Sequence, residues 1–151
     1  MNKVITQVTQ GGADTFTSVA VPTGLEADGR SGWEVVGMRV LWVNGLTVAA
    51  VDHVVHAKIQ TIATLAAFTS PDEVDRVSWG VQNTAGVAVA YTFEPVREHM
   101  LFIPRVTVQP NIYVAIESTA SNQSNVCQIS VYYNVIKLTD LEVLRLLAGG
   151  A

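Results

Sequence analysis

Short runs of β-branched and other apolar residues alternate with turn-forming residues along most of the chain. Within several runs, apolar and polar positions alternate one by one, which is the period of a strand with one covered face. Runs of this kind, bounded by Gly, Pro, Asn and Asp, are typical of an all-β sandwich or barrel. The predicted strands occupy residues 3–9, 15–21, 33–43, 53–64, 87–93, 99–103, 112–118 and 126–138.

The unequal connections between these strands favour an antiparallel β-sandwich of the eight-stranded jelly-roll type, which combines short hairpins with long crossings. An immunoglobulin-like sandwich is the alternative, but its strands are normally shorter and more even, and its paired cysteines are missing here. A chain of 151 residues fits one domain. We therefore expect a β-sandwich over residues 1–138, to which residues 139–151 add a C-terminal helix and tail.

The predicted strand over residues 33–43 is apolar at both odd and even positions. Because a strand covered on one side would alternate, this pattern predicts that both faces are covered. One face should meet the opposite sheet, and the other a loop, the C-terminal helix or a neighbouring subunit. The two apolar sets are Val35, Leu41 and Val43, and Val36, Met38, Val40 and Trp42.

Two segments carry start signals for helices. Ser70, Pro71 and Glu73 have the spacing of an N-cap, a first helical position and a capping box, which predicts a short helix near 71–77. Thr139 and Glu142 form a second capping box, which predicts a C-terminal helix near 140–148 that ends at the following glycines.

The C-terminal helix is too short to be stable alone in water, so it has to pack against something. Its apolar side chains span roughly 220° of the helix circumference, whereas docking on one surface needs little more than about 100°. The helix is either a plug sunk in its own sandwich, or it rests one flank on its own sheet and the other on an adjacent copy, a membrane or another partner. We favour the second interpretation.

Composition also points to self-association, since 49% of the residues are hydrophobic and only 15% are charged. A typical protein has about 25% charged residues. The net charge is −4 and the nine basic residues are never adjacent. Because binding to nucleic acid needs clustered Lys and Arg to release counterions together, we expect no direct nucleic-acid binding.

Candidate chemistry is sparse. His53 and His56 would share a face in a helix, but in a strand this spacing places them on opposite faces, where they cannot bind one metal ion. His99 reads as a polar strand or loop residue, and Cys127 as a buried, inert thiol with no cysteine partner for a disulfide. No nucleophile elbow or phosphate-binding loop occurs. We therefore expect no enzyme activity, no metal and no cofactor.

Membrane-spanning and secretory segments are not apparent. The N-terminal residues lack an apolar h-region, and apolar runs stop well short of the ~20 residues of a spanning helix. The chain is expected to be made as a soluble protein.

Tryptophan and tyrosine side chains exposed on a sandwich could stack on sugars, so a carbohydrate-binding module is the rival function. Core or interface packing is the more common role of these side chains.

The whole chain resembles the small single jelly-roll coat proteins of icosahedral viruses, including bacteriophages. The resemblance lies in the layout of "WEVVGMRVLWV", "DEVDRVSWGVQNTAGVAVAYTF" and "ISVYYNVIKLTDLEVLRLL". It implies a capsid subunit located in the virion and made in the host cytoplasm, whose partners are copies of itself and other virion proteins. The basic arm of many RNA-packaging coats is missing, which leaves room for a decoration, cement or minor shell role, or for a coat over an internal membrane.

On this interpretation the contacts between subunits come from the C-terminal helix, one face of residues 33–43, and the loops around 22–32 and 119–125. The predicted interface residues are Trp42, Leu141, Val143, Leu144, Leu146 and Leu147.

Overall fold

A computed structural model of the chain describes residues 1–25, 29–44, 52–67, 70–84, 87–89, 95–120 and 123–148. These residues form nine strands and one helix. The strands are β1 (Asn2–Thr9), β2 (Thr17–Pro22), β3 (Ser31–Trp42), β4 (His53–Gln60), β5 (Glu73–Thr84), β6 (Val87–Val89), β7 (Val96–Thr107), β8 (Asn111–Thr119) and β9 (Val126–Lys137), and the helix is α1 (Asp140–Leu147).

The strands form two sheets, in the orders β1-β9-β3-β7 and β2-β8-β4-β5-β6. All pairs are antiparallel, and four of them are nested within one another: β1 with β9, β2 with β8, β3 with β7 and β4 with β5. This nested pairing of eight strands in two four-stranded sheets is the arrangement of a jelly roll, and the three-residue β6 extends one edge. The predicted fold class is confirmed, and the immunoglobulin-like alternative is wrong.

The inner faces of the two sheets enclose one hydrophobic core. Aromatic contacts join elements both within one sheet and across the core. Trp33 of β3 stacks on Tyr133 of β9 with ring centroids 3.5 Å apart, and Trp42 of β3 meets Trp79 of β5 across the sandwich at 5.6 Å. Because Trp33, Trp42 and Trp79 are at most 4% exposed, the tryptophans pack within the core.

A bulge in β3 accounts for the apolar residues at both odd and even positions. Val35 pairs with Tyr133, but Gly37 pairs with Tyr132, so Val36 is an extra residue in β3. An extra residue shifts the alternation by one position, and the inward side chains change from odd to even numbers. The inward residues are Trp33 and Val35 before the bulge and Met38, Val40 and Trp42 after it. The prediction that β3 has two covered faces is wrong to this extent, because most of its apolar residues belong to one face.

The predicted helix near 71–77 is wrong, since β5 begins at Glu73. The cap signal forms a single turn, in which the Ser70 hydroxyl accepts a hydrogen bond from the Asp72 N–H at 3.1 Å and the Ser70 carbonyl accepts one from the Glu73 N–H at 3.1 Å. The Glu73 carboxylate then binds Arg76 instead of turning back to the cap. Pairing of the following residues with β4 outweighs the local helix signal.

The outer face of β4 is covered where the sequence pattern suggested solvent. The connection from β4 to β5 folds back over this face, and Gln60 donates hydrogen bonds to the Ile62 and Thr64 carbonyls at 2.6 and 2.7 Å. Lys58 and Gln60 are consequently 1% and 0% exposed. The alternation of apolar and polar residues over 53–64 predicts a strand whose middle is half solvated, and this prediction is wrong.

Candidate functional site

The helix α1 begins as the sequence predicts. The Thr139 hydroxyl accepts a hydrogen bond from the Glu142 N–H at 3.3 Å, and the Glu142 carboxylate accepts one from the Thr139 N–H at 2.7 Å. These bonds to Thr139 lower the pKa of Glu142. Arg30, just before β3, donates to Asp140 at 3.1 Å and ties the first turn of the helix to the sandwich. The predicted glycine stop at 149 and 150 lies outside the described residues.

The two flanks of α1 differ in exposure. Val143 and Leu146 are half-buried, whereas Leu141, Leu144 and Leu147 are 59%, 64% and 57% exposed. No residue of the helix is buried. The interpretation of the helix as an internal plug is therefore wrong, and a row of three leucines at i, i+3 and i+6 is left in solvent.

A groove of about 320 Å³ lies between α1 and the end of β7, where β7 leaves the sheet. Its floor reaches the edge of the sandwich core, because Val35 and Val74 contribute to it. The valine and leucine side chains that line it are Val35, Val74, Val106, Val108, Leu146 and Leu147. Leu146 and Leu147 at the end of the helix thus face the end of β7 across this groove.

A second bulge, in the edge strand β7, lies beside this groove. Val35 of β3 pairs with Arg105 and Gly37 pairs with Met100, so two steps along β3 correspond to five along β7. Three residues of β7 are therefore extra. Phe102 and Ile103 of this segment are exposed while Leu101 packs against the core, and the strand cannot offer a regular edge for pairing there.

Gly37 allows the bulge to lie close to β3. A side chain at this position would collide with the His99 carbonyl oxygen and would lie 2.8 Å from the Met100 sulfur. The absence of a side chain thus lets the β7 backbone approach β3 where the register changes.

The β7 bulge exposes large apolar side chains. Phe102 is 99% exposed, Ile103 72% and Met100 49%. Sequence reasoning missed this feature, because "HMLFI" reads as an ordinary strand. The available signal was Pro104, since proline within an apolar run marks an edge strand or a bulge.

The end of β7 and the last turn of α1 lie beside each other, because Arg105 and Leu147 line the same groove, and the exposed residues of the bulge come shortly before Arg105 in β7. We call this region the β7–α1 surface. It consists of Met100, Phe102, Ile103, Leu141, Leu144 and Leu147.

Trp42 does not belong to any exposed surface. It is 2% exposed, and its indole N–H donates to Asn44 Oδ1 at 3.1 Å. Its placement in the core corrects its prediction as an interface residue. Of the other predicted interface residues, Leu141, Leu144 and Leu147 are exposed and Val143 and Leu146 are half-buried. Residues 26–28, 121–122 and 149–151 of the predicted contact segments lie outside the described residues.

The remaining candidates for chemistry have structural partners. His56 is half-buried with its Nδ1 2.6 Å from the Ser78 hydroxyl, and burial lowers its pKa. The side chain of His53 lies outside the described residues. Cys127 is buried as predicted, and burial raises the pKa of its thiol to about 12. A thiol with so high a pKa is a poor nucleophile.

A buried ionic cluster lies on the covered face of β4. Lys58 Nζ is 2.5 Å from Glu117 Oε1 and 3.5 Å from Glu73 Oε2. Arg76 Nη2 also binds Glu73, at 2.6 Å. Capping and solvation would be the simplest roles for the acidic residues near 72–75, but Glu73 compensates the buried Lys58 and the partly buried Arg76.

Asp75 of β5 lies at an edge of the sandwich, where its side chain contacts β7 of the other sheet. Its Oδ1 lies 2.9 Å from His99 Nδ1 and accepts a hydrogen bond from the Arg76 N–H at 2.8 Å. Its Oδ2 is buried and has no hydrogen-bond partner among the described atoms. Burial raises the pKa of Asp75, and the contacts with His99 and Arg76 oppose that rise. The pair links the two sheets at their open edge.

Asp75→Asn should stabilise the protein progressively more, relative to wild type, as the pH rises from 4 to 7. The folded-state pKa of Asp75 lies above the unfolded value, so ionisation removes stability from the wild type as the pH rises through the folded pKa. An amide cannot ionise and still accepts the bonds made to Oδ1. Thermal unfolding across this pH range measures the difference, with Asp140→Asn as a surface control. A difference that is constant with pH would contradict the prediction.

The structure provides no tryptophan platform for sugars, because all three tryptophans are buried in the core. Among the described residues, no group of three His, Cys, Asp or Glu side chains is placed to hold a metal ion. Within the same residues, no helix has the length and apolar character needed to cross a membrane.

Comparisons with known proteins were made for the whole sequence. No protein-family model matches it, and no curated protein is significantly similar to it.

Proposed function

We propose that the protein is a structural subunit that self-assembles into a viral or phage shell, as a capsid protein or as a decoration or minor component of the shell. The observation that carries this proposal is the β7–α1 surface, which consists of six large apolar side chains that β7 and α1 of a jelly roll leave in solvent. Jelly rolls also serve in lectins and cupins, so the fold alone does not select the function.

The size of this surface favours association. At the observed exposures, six such side chains present about 600–700 Å² of apolar area, taking about 200 Å² for a fully exposed aromatic side chain. The largest apolar patch on a typical monomer is about 300–600 Å² and is often functional, and a standard interface buries about 800 Å² per partner. Association with further copies would remove most of this area from water.

The polar features fit the same role. The net charge of −4 supports a subunit that lies in the shell without itself holding the genome through phosphate contacts. The buried Lys58 cluster and the Asp75–His99 pair each have partners within the fold, and the proposal assigns them no reaction.

Light scattering and negative-stain microscopy of the purified chain test the proposal. We expect a homogeneous species many times the 16.2 kDa of one chain. Leu144→Glu should reduce it to smaller species with the fold intact by circular dichroism, because a carboxylate would be desolvated in the contact. Ile5→Glu is the matched control. Ile5 is 49% exposed on β1, which is the edge of its sheet opposite to β7. A wild-type chain that stays monomeric at high concentration would overturn the proposal.

A further inference from the structure

We propose that Phe102 of one copy inserts into the groove between α1 and β7 of the next copy. This inference rests on the proposed function and specifies how the subunits meet. The contact is heterologous, because each copy offers a protruding side chain to one neighbour and a groove to another. Heterologous contacts generate rings or extended assemblies, whereas a contact of one patch with itself ends at a dimer.

Phe102 has the properties of an anchor residue. Its side chain is 99% exposed, and the three extra residues of β7 hold it away from the sheet. Aromatic anchors that fill a pocket on a partner supply much of the binding energy in protein interfaces. Met100 and Ile103 flank it and are 49% and 72% exposed, so the neighbouring surface would also be apolar.

The groove suits a phenyl ring in size and chemistry. An apolar cavity of about 150 Å³ is sufficient to bind benzene, and the volume between α1 and β7 is about 320 Å³. Six of its lining residues are valine or leucine, with Arg105 and Asp72 among the polar residues that also line it. A neighbour's phenyl ring would contact the methyl groups of these valine and leucine residues, and polar side chains of the same lining would lie near it.

The occupant is a second copy because the phenyl ring does not fill the groove of its own chain. Phe102 stands in solvent only three residues from Arg105, which lines the groove. The β7–α1 surface presents about 600–700 Å² of apolar area, and in a heterologous arrangement each copy divides this area between the contact made by its ring and the contact made by its groove. The β7–α1 surface thus supplies the protruding side chain and, through Leu147, part of the groove wall.

A mixing experiment tests the heterologous contact. Phe102→Ser removes the protruding ring and keeps the groove, whereas Leu147→Trp fills the groove and keeps the ring. Each variant alone should associate at least about 30-fold more weakly than wild type, the loss expected for an interface hot spot. An equimolar mixture should form discrete dimers of twice 16.2 kDa, because one intact contact remains and no further copy can add.

Controls separate this inference from the proposed function. Ile5→Ser on β1 should assemble like wild type. Thermal unfolding shows whether each variant is folded, and Leu146→Trp serves as a second groove variant. If Phe102→Ser assembles normally, or if the mixture associates no better than either variant alone, the insertion is wrong and self-assembly stands. If the wild-type chain is monomeric, the proposed function fails as well.

Discussion

Lys58→Met should lower the free energy of unfolding by about 3 kcal/mol, near the lower end of the range for breaking a buried ion pair. Lys58 is 1% exposed and lies between the carboxylates of Glu117 and Glu73. Its removal leaves Glu117 without the cation that compensates it, whereas Glu73 keeps Arg76. In a chain of this length, such a loss corresponds to a fall in Tm of roughly 6–12 °C.

The control is Lys3→Met, which removes an exposed lysine from β1 and should change the free energy of unfolding by less than about 0.5 kcal/mol. The double variant Lys58→Met, Glu117→Leu should recover part of the loss, because it removes both charges of the pair. All variants are compared by denaturant or thermal unfolding at one protein concentration, since association contributes to apparent stability. Equal effects of Lys58→Met and Lys3→Met would contradict the assignment of a buried cluster.

The buried cluster shows where sequence patterns stop being informative. The alternation in β4 correctly separates Val55, Ala57 and Ile59, which face the core, from Lys58 and Gln60 on the other face. What covers that other face is decided by the path of the connection from β4 to β5. A loop path depends on tertiary contacts, such as the bonds from Gln60 to carbonyls of residues 62 and 64, and leaves no periodic signal in the sequence.

The fold itself could be predicted because its signals are local and repeated. Turn residues between alternating runs define most of the strands, and the unequal connections favour the nested pairing of a jelly roll. The bulges could not be predicted in the same way. In β3 one extra residue, Val36, reverses the alternation, and the sequence then resembles a strand apolar on both faces.

The candidate surface was predicted only in part. The capping box at Thr139 and the wide apolar arc of α1 indicated a helix with more apolar surface than one contact needs, and Leu141, Leu144 and Leu147 are indeed exposed. Phe102 was not predicted, because nothing in its local pattern shows that β7 carries extra residues relative to β3. That excess becomes visible only in the pairing of the two strands.

Truncation of Trp42 should strongly reduce the stability of the fold, whereas truncation of Phe102 should leave it almost unchanged. This difference distinguishes a core residue from a surface anchor. Trp42→Ala should lower the free energy of unfolding by about 3–5 kcal/mol, because Trp42 is 2% exposed and its removal leaves a cavity. Phe102→Ala should change it by less than about 0.5 kcal/mol, because Phe102 makes almost no contact with its own fold. Thermal unfolding under conditions in which both variants are monomeric measures the difference.

For assembly we expect the reverse: Phe102→Ala should have the larger effect and Trp42→Ala the smaller one. Phe102→Ala should abolish or strongly weaken the large species that we expect in light scattering, whereas Trp42→Ala should still assemble at temperatures where it is folded, since its side chain offers no surface to a neighbour. A loss of assembly in folded Trp42→Ala would restore the original prediction that β3 contributes to the interface. Loss of stability in Phe102→Ala would instead indicate that the β7 bulge packs against its own chain, and the exposed ring could then not serve a neighbour.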